Sequence, residues 1–104
     1  MSLAIDFMYM EDDQDWHIAD DLLRQALADL GLEATIDYWL VETDRQAFDW
    51  FFYGSPTIRV NGDELFPPFA DSVAGQHLRS YFTEEGVLGY PTYKMLVEAL
   101  QVYA

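Results

Sequence analysis

Leu3 to Met10 forms a short, almost unbroken apolar run with a single charge, Asp6, inside it. A run this short predicts a buried strand rather than a buried helix, which needs more length. Polar residues then crowd into Glu11-Asp12-Asp13-Gln14-Asp15 and mark a turn. Beyond it Ile18, Leu22, Leu23, Ala26, Leu27 and Leu30 recur at helical spacing, and Gly31 stands where a helix C-cap belongs. The pattern predicts a helix from about 14 to 30, with its Ile/Leu stripe on the sheet. Asp12 or Asp13 caps it in this reading, and the other acids sit on its positive end.

Ala34 to Val41 is rich in strand formers (Thr35, Ile36, Tyr38, Trp39) and predicts the second strand. Thr43-Asp44-Arg45-Gln46 has the capping-box pattern and opens a short helix through Phe52, which Gly54-Ser55-Pro56 breaks. Asn61-Gly62 separates the strand-like runs Thr57 to Val60 and Asp63 to Phe66. That pair specifies a two-residue hairpin, because both turn positions need positive φ. Pro67-Pro68 ends the hairpin. Residues 69–90, interrupted by Gly75, Gly86 and Gly89, read as irregular. Pro91 suits the first position of a last helix whose apolar face is Met95, Leu96, Ala99, Leu100 and Tyr103. The order β-α-β-α-β-β-α predicts an α/β fold. A four-stranded mixed sheet has helices on both faces, and its first β-α-β unit is parallel and right-handed.

The 104 residues suit one domain spanning 1–104. An apolar content of 51% argues for a packed core despite a net charge of −14. With no cysteine, disulfides, thiolate metal sites and thiol catalysis are excluded. The five basic residues, Arg24, Arg45, Arg59, Arg79 and Lys94, are scattered, so nucleic acid is not an expected partner. Apolar runs such as Trp50 to Tyr53 fall far short of the ~20 residues of a membrane span. MSLAIDFMYM lacks the basic start of a secretory leader. The expectation is a cytoplasmic protein with no membrane partner.

The stretch Phe52-Tyr53-Gly54-Ser55-Pro56-Thr57-Ile58-Arg59-Val60-Asn61-Gly62 resembles a segment of small glutaredoxin-like proteins of the thioredoxin superfamily. Arg79-Ser80-Tyr81 and Gly89-Tyr90-Pro91-Thr92 resemble the same group. The resemblance implies a thioredoxin-like fold with a cis proline at Pro56, beside the site where the family does its chemistry. It also implies a Cys-x-x-Cys at the start of the first helix. Here that position reads Asp13-Gln14-Asp15-Trp16, and Leu78 stands where relatives carry a further cysteine. Thiol–disulfide exchange needs a thiolate, which neither a carboxylate nor an indole supplies. The family's redox activity therefore does not carry over.

Three regions offer chemistry. A helix start usually attracts anions, but Glu11, Asp12, Asp13 and Asp15 place carboxylates there, so anionic substrates such as glutathione should bind poorly. No EF-hand spacing accompanies these acids, so neither metal nor cofactor is expected. The expected binding groove comprises Trp16, Ser55, Pro56 and Thr57. An extended segment of an unidentified protein or peptide would pair there with the Thr57 backbone. Phe48, Trp50, Phe51, Phe52 and Tyr53 cannot all be buried by one face of a short helix, so this run is a candidate interface, including for a homodimer. The reading favoured by the sequence is a redox-inactive binding module. A non-thiol enzyme using Asp13 or His17 is the alternative from another class, and a structural homo-oligomer through 48–53 is the third.

Overall fold

In the computed structural model, which describes residues 2–104, β1 (Leu3–Tyr9) is the inner strand of a mixed sheet. It pairs in parallel with β2 (Ala34–Leu40) and antiparallel with β3 (Thr57–Val60). The short β4 (Asp63–Glu64) pairs with β3 and completes the four-stranded order β2-β1-β3-β4. The turn between them is the one the sequence specifies: Asn61 and Gly62 have φ of 52° and 89°. Asn61 also accepts through Oδ1 from the Ala4 backbone N–H, which ties the turn to the start of β1.

Alternation along β1 divides the core in two. Ile5 and Phe7, with Ile58 and Val60 of β3, face Ala19, Leu23, Ala26 and Leu27 of α1 (Trp16–Asp29) and Leu96 and Leu100 of α3 (Tyr93–Leu100). Met8 and Met10 belong to a second cluster with Val41, Phe52 and Ala47 of α2 (Asp44–Asp49). The sheet thus separates α1 and α3 from α2. No helix among the described residues is long and apolar enough to cross a membrane.

α1 begins at Trp16, later than its periodicity suggests, and its N-cap is Asp15 rather than Asp12 or Asp13. Ile18 is 42% exposed and lies off the packed stripe, which runs through Ala19 and Leu23 instead. At the other end Gly31 takes φ 67°, and its N–H and that of Leu32 reach back to Ala28 and Leu27. This is the bonding of a Schellman cap. α2 uses the same cap at its end: Phe51 N–H bonds Phe48 O and Phe52 N–H bonds Ala47 O. Here the left-handed position is filled by Phe51, φ 53°. The helix therefore stops at Asp49, not at Phe52. Its start keeps half of the capping box: Thr43 Oγ1 accepts from Gln46 N, whereas Gln46 Oε1 accepts from Glu42 N, one residue ahead of the N-cap.

Two further differences lie in the C-terminal third. Residues 69–90 are not all irregular: β5 (Tyr81–Thr83) and β6 (Gly86–Leu88) form a separate two-stranded antiparallel sheet. The element order is therefore longer by one hairpin than the periodicity predicts. Thr92, not Pro91, starts the last helix, capping α3 by accepting from Met95 N. Pro91 lies buried just ahead of the cap.

Candidate functional site

The residues ahead of α1 fold inward. Asp13 is only 4% exposed, and both of its oxygens are used. Oδ1 accepts from Asp15 N at 2.9 Å, and Oδ2 accepts from Ser55 Oγ at 2.6 Å. Ser55 Oγ accepts in turn from Met10 N at 3.0 Å. One buried relay thus joins the end of β1, the turn before α1 and the approach to β3. Gln14 is exposed and stands apart from it.

The Ser55–Pro56 peptide is cis. Ser55, Pro56 and Thr57 are all buried. The chain itself occupies the edge expected to receive a peptide. Ser55 N donates to His77 O at 2.8 Å, and Arg79 N donates to Ser55 O at 2.9 Å, making a parallel bridge with Leu78. Thr57 lies opposite Met8 in the β1–β3 pairing, and its hydroxyl donates to Gly54 O. Tyr81 donates its hydroxyl to Pro56 O at 2.5 Å. Close approach makes Gly54 necessary here, since a Cβ would lie 2.4 Å from the Arg79 side chain. The groove expected at Trp16, Ser55, Pro56 and Thr57 is therefore closed by residues 77–79. That closure depends on pairing across more than 20 residues of chain, which no local pattern announces.

Trp16 turns toward the core, with its ring centroid 4.2 Å from Tyr9 and 6.2 Å from Phe7. His17 stacks on it at 3.6 Å and remains exposed. Asp13 and His17 share no hydrogen bond among the described residues. Among the described residues no three His, Asp or Glu side chains are grouped to hold a metal ion.

The aromatic run divides. Phe52 is fully buried in the second cluster, and Trp50 packs against it. Phe48 and Phe51 project outward, 70% and 66% exposed. They line a cleft of about 300 Å³ with Val73 and Ala74. A larger cleft of about 450 Å³ runs between Phe66, Phe69, Leu78, Tyr81 and Phe82. Tyr53 and Ser72 line both, so the two adjoin in one apolar trench. Its exposed walls Phe69, Val73, Leu78 and Phe82 come from residues that sequence periodicity leaves unassigned. The available signal was weak: isolated large apolar residues set among Pro, Gly and Ser in a segment without period.

Two arginines brace this region. Arg59 Nη2 donates to Trp50 O at 2.9 Å and to Phe51 O at 2.8 Å. Arg79 Nη2 donates to Phe66 O at 2.8 Å, and its guanidinium lies 4.5 Å from the centroid of the Tyr81 ring. Both flank Glu64, with contacts of 3.4 Å and 3.9 Å. Burial pushes the Glu64 carboxyl above its usual range, against the pull of Arg59 and Arg79. Burial likewise raises the Tyr81 phenol.

A raised acid pKa means that the folded state holds the proton more tightly than the unfolded state. Its contribution to stability is then fully present below the ordinary value and lost as pH rises through the folded one. Repulsion within a chain of charge −14 acts in the same direction. The melting temperature should therefore rise as pH falls from 7 toward 5, and Glu64→Gln should reduce that slope. Thermal scans of the two proteins across this range check the prediction, which a slope unchanged by the substitution would contradict.

No family model and no curated protein matches this chain.

Proposed function

We propose that this chain is a thioredoxin-like binding module without redox activity, and that it recognises a basic, partly apolar segment of another protein through the trench between Phe48 and Phe82. The observation that carries the reading is the exposure of Phe48, Phe51, Phe69, Val73, Leu78 and Phe82, all between 61% and 70%, around two adjoining clefts. Large apolar side chains gathered this densely on a small protein mark an interaction surface. The sheet order β2-β1-β3-β4, with α1 and α3 opposite α2, supports the thioredoxin-like part of the reading.

Charge selects the occupant. A second copy would bring another −14 against the first, whereas a segment carrying Lys or Arg beside Leu or Phe meets both the trench and the field around it. Self-association is therefore the weaker use of this surface. Enzymatic use of Asp13 has no support, because the carboxylate is buried and fully engaged.

Fluorescence anisotropy with labelled Lys/Leu/Phe peptides tests the proposal. The protein should prefer these to Glu/Leu/Phe peptides of equal length. Leu78→Asp and Phe69→Asp each bury a carboxylate in the contact and should weaken binding at least about tenfold. Equal affinity for the two peptide classes, or binding unaffected by both substitutions, overturns it. A concentration-dependent dimer in light scattering, dispersed by Leu78→Asp, would assign the trench to a second copy instead.

A further inference from the structure

A third cleft, on the α2 side of the sheet, has a different chemistry. It measures about 290 Å³ and is lined by Trp39, Trp50 and Phe51 together with Met8, Asp6, Asp49 and Arg59. The indoles of Trp39 and Trp50 meet edge to face, with centroids 5.2 Å apart and planes at 75°. One indole edge set against the other's face, with the Phe51 phenyl in the same lining, forms an aromatic corner.

Trp39 and Phe51 are each held in place by a partner within the cleft's own lining. Trp39 Nε1 donates to Asp6 Oδ1 at 2.9 Å, which sets the ring and leaves Asp6 Oδ2 without a hydrogen bond among the described residues. Asp49 uses Oδ2 for Arg45 at 3.0 Å, leaving Oδ1 likewise. Phe51 owes its place to the left-handed backbone that closes α2, and Arg59 clamps the carbonyls of Trp50 and Phe51, on either side of the Phe51 Cα. A bulky residue in that conformation is strained, and such strain gathers where function requires a side chain in one position.

From this juxtaposition we propose that the Trp39–Trp50–Phe51 cleft binds a methylated ammonium group. The ring faces present negative quadrupole, and Asp6, which pairs with no cation among the described residues, supplies negative charge, whereas Asp49 is paired with Arg45 at 3.0 Å. The Arg59 guanidinium, which also lines the cleft, is paired with Glu64 at 3.4 Å from its Nε. The aromatic walls discriminate among cations. Calcium and magnesium require six or more oxygens, which these walls do not offer. An unmethylated ammonium keeps three N–H donors, one more than the two free carboxylate oxygens of Asp6 and Asp49 can pair singly. A quaternary ammonium has none, is weakly hydrated and packs its methyl groups against the rings. The volume, at the low end for ligand sites, suits a head group rather than an extended molecule.

Isothermal titration of the intact protein with choline, with a trimethyl-lysine peptide and with 3,3-dimethylbutanol, the uncharged counterpart of choline, tests the site. At least one cation should bind tenfold or more tightly than the neutral compound, and the tighter of the two identifies a free solute or a modified protein as the source. Trp39→Leu lies on the edge strand and should cost at least tenfold, whereas Leu78→Asp in the trench should cost nothing. Phe51→Gly should weaken binding while raising the melting temperature, a pairing that a purely structural role for Phe51 would not produce. The proposal fails if the neutral compound binds as well as both cations, if neither cation binds, or if Trp39→Leu leaves affinity unchanged.

Discussion

Replacing Asp13 with Leu should lower the melting temperature by about 12–24 °C, from a stability loss of about 3 kcal/mol at 4–8 °C per kcal/mol for a domain of this size. Leucine keeps most of the volume and removes both acceptors. The Ser55 hydroxyl, which ends on Asp13 at 2.6 Å, is then stranded in a buried site, and the part-buried Asp15 N–H loses its acceptor at 2.9 Å. Each buried donor left unpaired costs about 1–3 kcal/mol, more than the hydrogen bond contributed, because its desolvation is no longer offset. Asp13→Asn retains a carbonyl and should cost less. Ser55→Ala strands the Met10 N–H and takes one bond from the carboxylate, so the double variant should cost less than the sum of the singles. Calorimetry on the four proteins checks this. Strict additivity would mean that the relay is not a unit.

Arg59→Met should cost about 2–3 kcal/mol, because a charged donor to backbone carbonyls is worth more than a neutral one. Arg59 holds the carbonyls of Trp50 and Phe51 at the point where α2 has already ended and its orphan acceptors need partners. Methionine preserves the packed stem but leaves these oxygens bare and removes the cation 3.4 Å from the half-buried Glu64. Arg59→Lys should recover only part of the loss, since an ammonium lacks the planar fork that reaches both carbonyls and the carboxylate together. Denaturant titrations give the three stabilities. Equal values for wild type and Arg59→Met would show that the α2 end needs no clamp.

Much of the scaffold is legible in the sequence, where the signals are local. Asn61-Gly62 admits few alternatives, because two consecutive positive φ values are costly for most other pairs. Thr43 caps α2 as its spacing suggests, with Gln46 reaching one residue further back than the pattern requires, to Glu42 N. The α1 stripe is correct at Leu23, Ala26 and Leu27 and wrong at Ile18, where a single apolar residue matches the period without facing the core. Phe51 is misread as helical because nothing about phenylalanine announces a left-handed cap; Arg59, eight residues on, holds its carbonyl in place. β5 and β6 are three residues each, too short for alternation to register.

The candidate site is less legible than the fold, for one physical reason. Whether Ser55, Pro56 and Thr57 form an open edge depends on where residues 77–79 go, and that segment carries no period of its own. Its backbone satisfies Ser55 from both sides, so the surface available for recognition moves outward to Leu78 and its neighbours. The acidic turn likewise appears in sequence as a solvated cluster, yet one member, Asp13, turns inward to a serine 42 residues away.

Backbone amide shifts of the labelled protein, followed during titration with a Lys/Leu/Phe peptide, test this account most directly. The changes should concentrate at residues 48–53 and 66–82 and leave Glu11 to His17 still. Changes centred on the turn before α1, with loss of the Ser55 and Arg79 amide pairing, would mean that the edge beside Pro56 opens to receive the peptide and that the trench is not the binding surface.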